Sequence, residues 1–246
     1  MDRYRPALGV AVVWLVLATG CLPDDGSASP TGEQSTTQVS TPEPRSDIDA
    51  WVEQYTAAVA GTTTVHVVVR QEMVSGGETT IAHLEVDMSG TDRYGEVQID
   101  PDGAFLIVVV GDTAYAKPDG GVWDEMPRRL LAFSELHINP AATITVQRVS
   151  ITAIELVASE DVDGVPTDHY VITYDVAKRT DLPMSVHYGA VLKGDTITAD
   201  LWVDAQMRPV RYESTIMVRK DMATGRVVVQ AVYSGYGTPV TIEPPV

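Results

Sequence analysis

The chain has 246 residues, 17 Lys and Arg against 34 Asp and Glu, a formal net charge of −17, and a single cysteine. So acidic a chain disfavours nucleic acid and any polybasic grip on anionic lipid, and one cysteine excludes an internal disulfide framework. The length is enough for a domain of about 200 residues to bury a core without such staples.

Arg3 and Arg5 form a basic start, and Ala7 to Leu17 is an eleven-residue apolar run. A spanning helix needs about 20 apolar residues and a signal core about 7–15, so residues 1–20 read as an export signal. The run ends in Leu17-Ala18-Thr19-Gly20-Cys21. Small residues before a cysteine suit a signal peptidase cleft, and the thiol is the nucleophile there that can take a diacylglyceryl group. This looks like a bacterial lipobox. It predicts a mature protein that starts at Cys21 and is lipid-anchored to the cell membrane on its extracytoplasmic side. Two acyl chains at ~0.8 kcal/mol per buried CH₂ give a stable anchor. Cleavage removes Asp2, Arg3 and Arg5 and leaves a charge of about −18, so the lipid and not charge must do the anchoring. No later run is long and apolar enough to span a membrane.

From Cys21 to Ser46 the chain is dominated by Ser, Thr, Pro and Gly and has almost nothing to bury, which predicts a disordered tether. About 25 such residues reach roughly 25–30 Å, enough for a domain to stand off a bilayer and still touch it.

The predicted domain covers residues 47–246. Ile48, Trp51, Val52, Tyr55 and Val59 form one helical stripe, with Ser46 or Asp47 as cap and Gly61 beyond its end. After Gly61 the period becomes two. Val65, Val67 and Val69 alternate along one strand, and Ala82, Leu84, Val86 and Met88 along the next, with Ser75-Gly76-Gly77 as the turn. Asp100-Pro101-Asp102-Gly103 turns into Ala104–Val110, apolar throughout and so expected to be buried on both sides. Gly111-Asp112 leads to Thr113–Lys117, and Pro118-Asp119-Gly120-Gly121 turns again before Trp123. Pro127–Leu136 is a second helical candidate, with Asp124 and Glu125 suited to its start and Met126, Leu130, Phe133 and His137 on one stripe. Further strands are expected at Ile154–Ser159, Asp168–Val176, Thr196–Asp204, Val210–Val218 and Val227–Ser234. Residues 178–195 are open between helix and strand. The class is α+β: a large, mostly antiparallel sheet of nine to eleven strands with a few helices.

Such a sheet either closes on its own side chains or curls around a cavity. The strands are rich in Val and Ile, while Phe105 and Phe133 are the only phenylalanines. Small branched residues on a concave face leave volume for an acyl ligand, though a fully packed core fits the same pattern.

Several segments resemble the mycobacterial LppX/LprA/LprF/LprG lipoproteins, whose fold is like that of LolA and LolB. They are the opening helix with Trp51 and Tyr55; Val108 to Lys117 followed by Trp123; Val162-Asp163-Gly164-Val165-Pro166-Thr167-Asp168-His169-Tyr170; Leu201-Trp202-Val203-Asp204 with Pro209-Val210-Arg211; and Tyr233 to Ile242. These mark turns and strands and are not a catalytic signature. The resemblance implies an incomplete barrel, a curved antiparallel sheet with helices over its concave face, that holds the acyl chains of a lipid or glycolipid. Alternation then suggests Val67, Leu84, Val86, Leu106, Val108, Leu130 and Phe133 as the lining. The rival reading is a sensory or accessory lipoprotein that binds a partner protein through the same fold.

Signatures of catalysis are missing from the sequence: there is no Gly-x-Ser-x-Gly, His-Glu-x-x-His, Walker loop or dinucleotide fingerprint. We therefore expect a binding protein and not an enzyme, with no cofactor and no metal. His66 and His83 lie on the polar faces of neighbouring strands, where they are either a metal pair or solvated side chains. Glu160-Asp161-Val162-Asp163-Gly164 lacks the later ligands of a calcium loop and reads as a turn. Arg128-Arg129 reads as a head-group contact or a solvated helix end, and Gly235 to Pro239 as a gate or a turn before a last edge strand.

Overall fold

At Gly61 the apolar period changes from helical to alternating, and the backbone changes with it. The computed structural model describes residues 46–75, 77–100, 103–128, 144, 147–175, 178, 196–220 and 223–245. Helix α1 (Ser46–Ala60) carries Asp47 and Asp49 in its first turn, where carboxylates favour the positive end of the helix dipole. It closes as Gly61 N–H donates to the Ala57 carbonyl at 3.0 Å. Its Val52 and Tyr55 are fully buried.

Eleven strands follow: β1 (Thr64–Ser75), β2 (Glu78–Ser89), β3 (Asp92–Asp100), β4 (Gly103–Val110), β5 (Thr113–Pro118), β6 (Asp124–Pro127), β7 (Ile151–Val162), β8 (Val165–Asp175), β9 (Thr196–Val203), β10 (Pro209–Lys220) and β11 (Ala223–Ser234). They form one antiparallel sheet in the order β6-β5-β4-β3-β2-β1-β11-β10-β9-β8-β7. The first and last strands pair at its middle, from His66↔Ser234 to Val74↔Arg226. The sheet is open, with β6 and β7 as its edges.

Two expectations need correction. The sequence showed no strand between Met88 and Asp100, yet β3 pairs along β2 from Ile81↔Asp100 to Ser89↔Asp92. Asp124–Pro127 does not start a helix but forms β6, paired with β5 from Thr113↔Pro127 to Ala116↔Asp124. Pro127 is tolerated there because an edge strand has a side that needs no donor. Arg128 is tied back to the β4–β5 turn, its guanidinium donating to the Gly111 carbonyl at 3.0 Å. Besides α1 and a short 3-10 turn at Arg148–Ser150, the described residues include the helical positions Ile144 and Gln147, and Ile144 is fully buried in the core that α1 covers. Residues 129–136 and 179–195 lie outside the described residues.

The turns behave as their residues dictate. Asp163 (φ 53°) and Gly164 (φ 84°) are both left-handed, the two-residue hairpin geometry that matches strand twist, and Val162↔Val165 closes the pairing. Gly164 N–H donates to Asp161 Oδ1 at 2.7 Å, so the acidic cluster serves a turn. The β9–β10 turn is organised by Asp204, which is almost wholly buried. Its carboxylate accepts from the Gln206 and Arg208 backbone N–H groups, each at 2.9 Å, and from Arg208 Nε at 2.7 Å. Gly235 to Pro239 is a turn with Gly235 and Gly237 at positive φ, and the residues after it to 245 form no strand.

Away from α1 the sheet carries ion pairs. Glu72 accepts from Arg70 and from Arg226, each at 2.9 Å, and hydrogen bonds from these two guanidiniums hold its carboxyl below the usual glutamate range. His66 Nδ1 contacts Asp87 Oδ1 at 2.8 Å. The register sets His66 against Asp87 and His83 against Arg70, so the two histidines do not face each other. Among the described residues no group of His, Cys, Asp and Glu is arranged to hold a metal ion.

Candidate ligand-binding face

Alternation gives most strands one apolar side, and the register aligns those sides. One row runs Tyr170, Leu201, Tyr212, Ala231, Val69, Leu84, Val97, Phe105, crossing from β8 to β4 through eight paired strands. A parallel row runs Tyr233, Val67, Val86, Gly95, Ile107, Ala116. Helix α1 packs on this face. Its Val52 and Tyr55 share one core cluster with Val67, Val69, Val86, Ile172, Leu201 and Tyr233.

At 4.7–4.9 Å between strands the first row is roughly 34 Å wide. A 15-residue helix is about 22 Å long and about 10 Å across. The apolar face is thus wider than α1, and the helical Ile144 is buried in the same core.

Beneath α1 the face is aromatic. The Trp51 and Tyr55 rings stack at 5.2 Å, and Trp51 meets Tyr170 edge-on, also at 5.2 Å. Burial, reinforced by neighbouring tyrosines, pushes the Tyr55 and Tyr233 hydroxyls well above the usual phenol range. Burial does the same to Tyr236, with Asp204 adding to the shift and Arg208 opposing it. Tyr236 is pinned as its hydroxyl donates to the Pro209 carbonyl at 2.6 Å, and the Arg208 guanidinium lies 4.6 Å over its ring. It lines an open groove of about 380 Å³ at the end of α1, with Ala58, Gly61, Gln206, Arg208 and Gly237. Another groove, of about 490 Å³, lies among Tyr115, Lys117, Val122, Trp123, Glu125 and Pro245.

The structure divides the residues that alternation suggested as a lining. Val67, Leu84 and Val86 lie on the α1 face and are buried. Gly95↔Ile107 places Ile107 on that face, so its neighbours Leu106 and Val108 point to the opposite one. Leu130, Phe133 and Cys21 lie outside the described residues. The aromatic group was missed as a site, although Tyr170, Tyr174, Tyr212 and Tyr233 all occupy inward positions of a period-two pattern. No family model and no curated protein matches the sequence. In backbone, the chain aligns with the crystal structure of lipoprotein LppX from Mycobacterium tuberculosis, with a TM-score of 0.55 and 17% identity over 81% of this chain and all of that one. LprF from Mycobacterium bovis aligns with a TM-score of 0.50 and 19% identity over 82% of this chain and 98% of that one. The chain has the fold of LppX and LprF. A LolA-superfamily protein from Nitrosomonas europaea aligns with a TM-score of 0.29 and 13% identity over 77% of this chain and 92% of that one. Within the LppX/LprF fold, the resemblance segments of this chain are structural: Val162–Tyr170 holds the β7–β8 hairpin, Leu201–Asp204 leads into the Asp204 turn, and Tyr236 lines the groove at the end of α1.

Proposed function

We propose that this chain is a lipid-anchored protein of the cell envelope that binds the acyl chains of a lipid or glycolipid on the α1 face of its sheet and moves that lipid without chemical change. One observation carries the reading: an aligned apolar face roughly 34 Å wide, of which α1, the longest helix among the described residues, spans about 22 Å at most. Acyl chains occupying the remaining width would gain roughly 25 cal/mol per Å² of apolar surface removed from water. The fold shared with two mycobacterial lipoproteins supports it, as does the lipobox before Cys21. The lining is expected around Val67, Leu84 and Val86, with Leu130 and Phe133 as candidates from the segment after β6.

Native mass spectrometry of residues 47–246, made in bacteria without the anchor and recovered from the soluble fraction, is expected to show lipid-sized adducts. A domain that emerges bare and takes up no fluorescent fatty acid rules the reading out. The anchor is tested separately. Cys21→Ser is expected to move the protein from the membrane to the soluble fraction, because both acyl chains go with the thiol. Membrane retention of that variant would overturn the lipobox assignment.

A further inference from the structure

A buried donor without an acceptor carries its full desolvation cost, so a native chain that keeps two of them side by side needs a reason. Tyr55 and Trp51 sit one turn apart on α1. The Tyr55 hydroxyl and Trp51 Nε1–H are both shut off from solvent, and among the described residues neither has a hydrogen-bond partner. Tyr55 is itself fully buried. Their rings are stacked with centroids 5.2 Å and planes 9° apart, so the two donor-bearing rings lie against each other on the apolar face.

The surroundings define what can satisfy them. The groups acting electrostatically on Tyr55 are Tyr233, Tyr236, Tyr174 and Tyr212, all phenols. Among the described residues the guanidinium beside these phenols, Arg208 over the Tyr236 ring, is already paired with Asp204, so a buried carboxylate or phosphate would stay uncompensated at prohibitive cost. The missing partner is therefore a neutral acceptor. A carbonyl oxygen has two lone pairs and can take both donors.

We propose that Trp51 Nε1–H and Tyr55 Oη–H form a hydrogen-bonding site for the ester carbonyl of an acylated lipid, so that this face selects ester-linked lipids over their ether-linked counterparts. The site rests on the lipid-binding reading above and names the chemistry it recognises. The acyl chains on either side of the carbonyl would lie along Tyr170, Leu201 and Tyr212 of the apolar row.

The test is a competition. The full chain in detergent micelles is offered equal amounts of dipalmitoylglycerol and its dihexadecyl ether analogue, and native mass spectrometry reads the ratio of the two adducts. One neutral hydrogen bond corresponds to a preference of roughly three- to tenfold for the ester. Tyr55→Phe is expected to bring the ratio close to one, and Trp51→Phe to lower it in part. Because the ratio is read within one sample, a general loss of binding cancels. Tyr55→Phe should also leave the melting temperature of the lipid-free protein unchanged or raised, since it removes an unmet donor. An unchanged ratio in both variants overturns the proposal. So does a lower melting temperature in Tyr55→Phe with the ester preference intact, which would mean that the hydroxyl serves an internal water. If the unmodified chain takes up neither lipid, the lipid-binding reading itself fails, and an equal uptake of both sinks only the ester site.

Discussion

Raising the pH above about 10 should unfold this domain, with a slope that a single tyrosine cannot produce. Tyr55 and Tyr233 are buried with their hydroxyls held well above the usual phenol range, and Tyr236 is pushed up by the same cause. In the unfolded chain all three ionise near pH 10. Their folded values are raised, so the stability they contribute is complete below pH 10 and is lost as pH climbs towards those values. Each proton is worth about 1.4 kcal/mol per pH unit, and three together about 4 kcal/mol per unit. A domain with about 5–15 kcal/mol of stability is exhausted within a few units. Urea midpoints by circular dichroism between pH 8 and 12 measure the slope. Tyr233→Phe should reduce it by about one proton, and Tyr55→Phe by another. A slope of one proton or less would mean that these hydroxyls are not sealed in the core. The steepness therefore reports on these three buried hydroxyls.

Where period two is carried by large apolar residues, the sheet was legible before any coordinates. β1, β2, β8, β10 and β11 were all visible in this way, and the turns between them were marked by Gly and Asp. β3 was not, because the first two of its inward positions are Arg93 and Gly95 and only Val97 and Ile99 look like core. β6 was masked by chemistry that imitates a helix start: two carboxylates ahead of a proline. The site followed the same division. Val67, Leu84 and Val86 alternate with polar neighbours, so their face could be read. β4 is apolar at every position from Ala104 to Val110, and such a strand has no phase of its own. Which of its residues share a face with Val67 is decided by pairing to β3, the strand that could not be seen, and so Leu106 and Val108 were placed on the wrong side. Unmet donors at Trp51 and Tyr55 are beyond any sequence pattern. They follow from which groups fail to meet, a property of the packed core.

Gly95→Val should be among the most damaging single substitutions in the sheet. A Cβ at Gly95 would lie 2.4 Å from the Glu85 carbonyl oxygen, 2.7 Å from Val86 Cγ2 and 3.0 Å from Val86 Cα. Overpacking usually costs about 1–3 kcal/mol because side chains can turn aside. Here the nearest atom is backbone, and it can retreat only by opening the β2–β3 ladder at Val86↔Gly95. The cost should therefore lie at or above the top of that range. Adding Val86→Ala removes the Cγ2 contact and leaves the carbonyl one, so rescue in the double variant should be partial. Gly77, at the β1–β2 turn, is the contrasting site. It has φ +88° and nothing within 4 Å of a Cβ, so Gly77→Ala pays only for backbone conformation, on the order of 1 kcal/mol. Urea midpoints of the three variants separate the two mechanisms. If Gly95→Val proved as stable as the parent, β3 would have to be slipped by one residue, because that shift alone moves position 95 to the open face. It would also carry Ile107 off the α1 face and return Leu106 and Val108 to it. The stability of one glycine variant thus decides which side of β4 can meet an acyl chain.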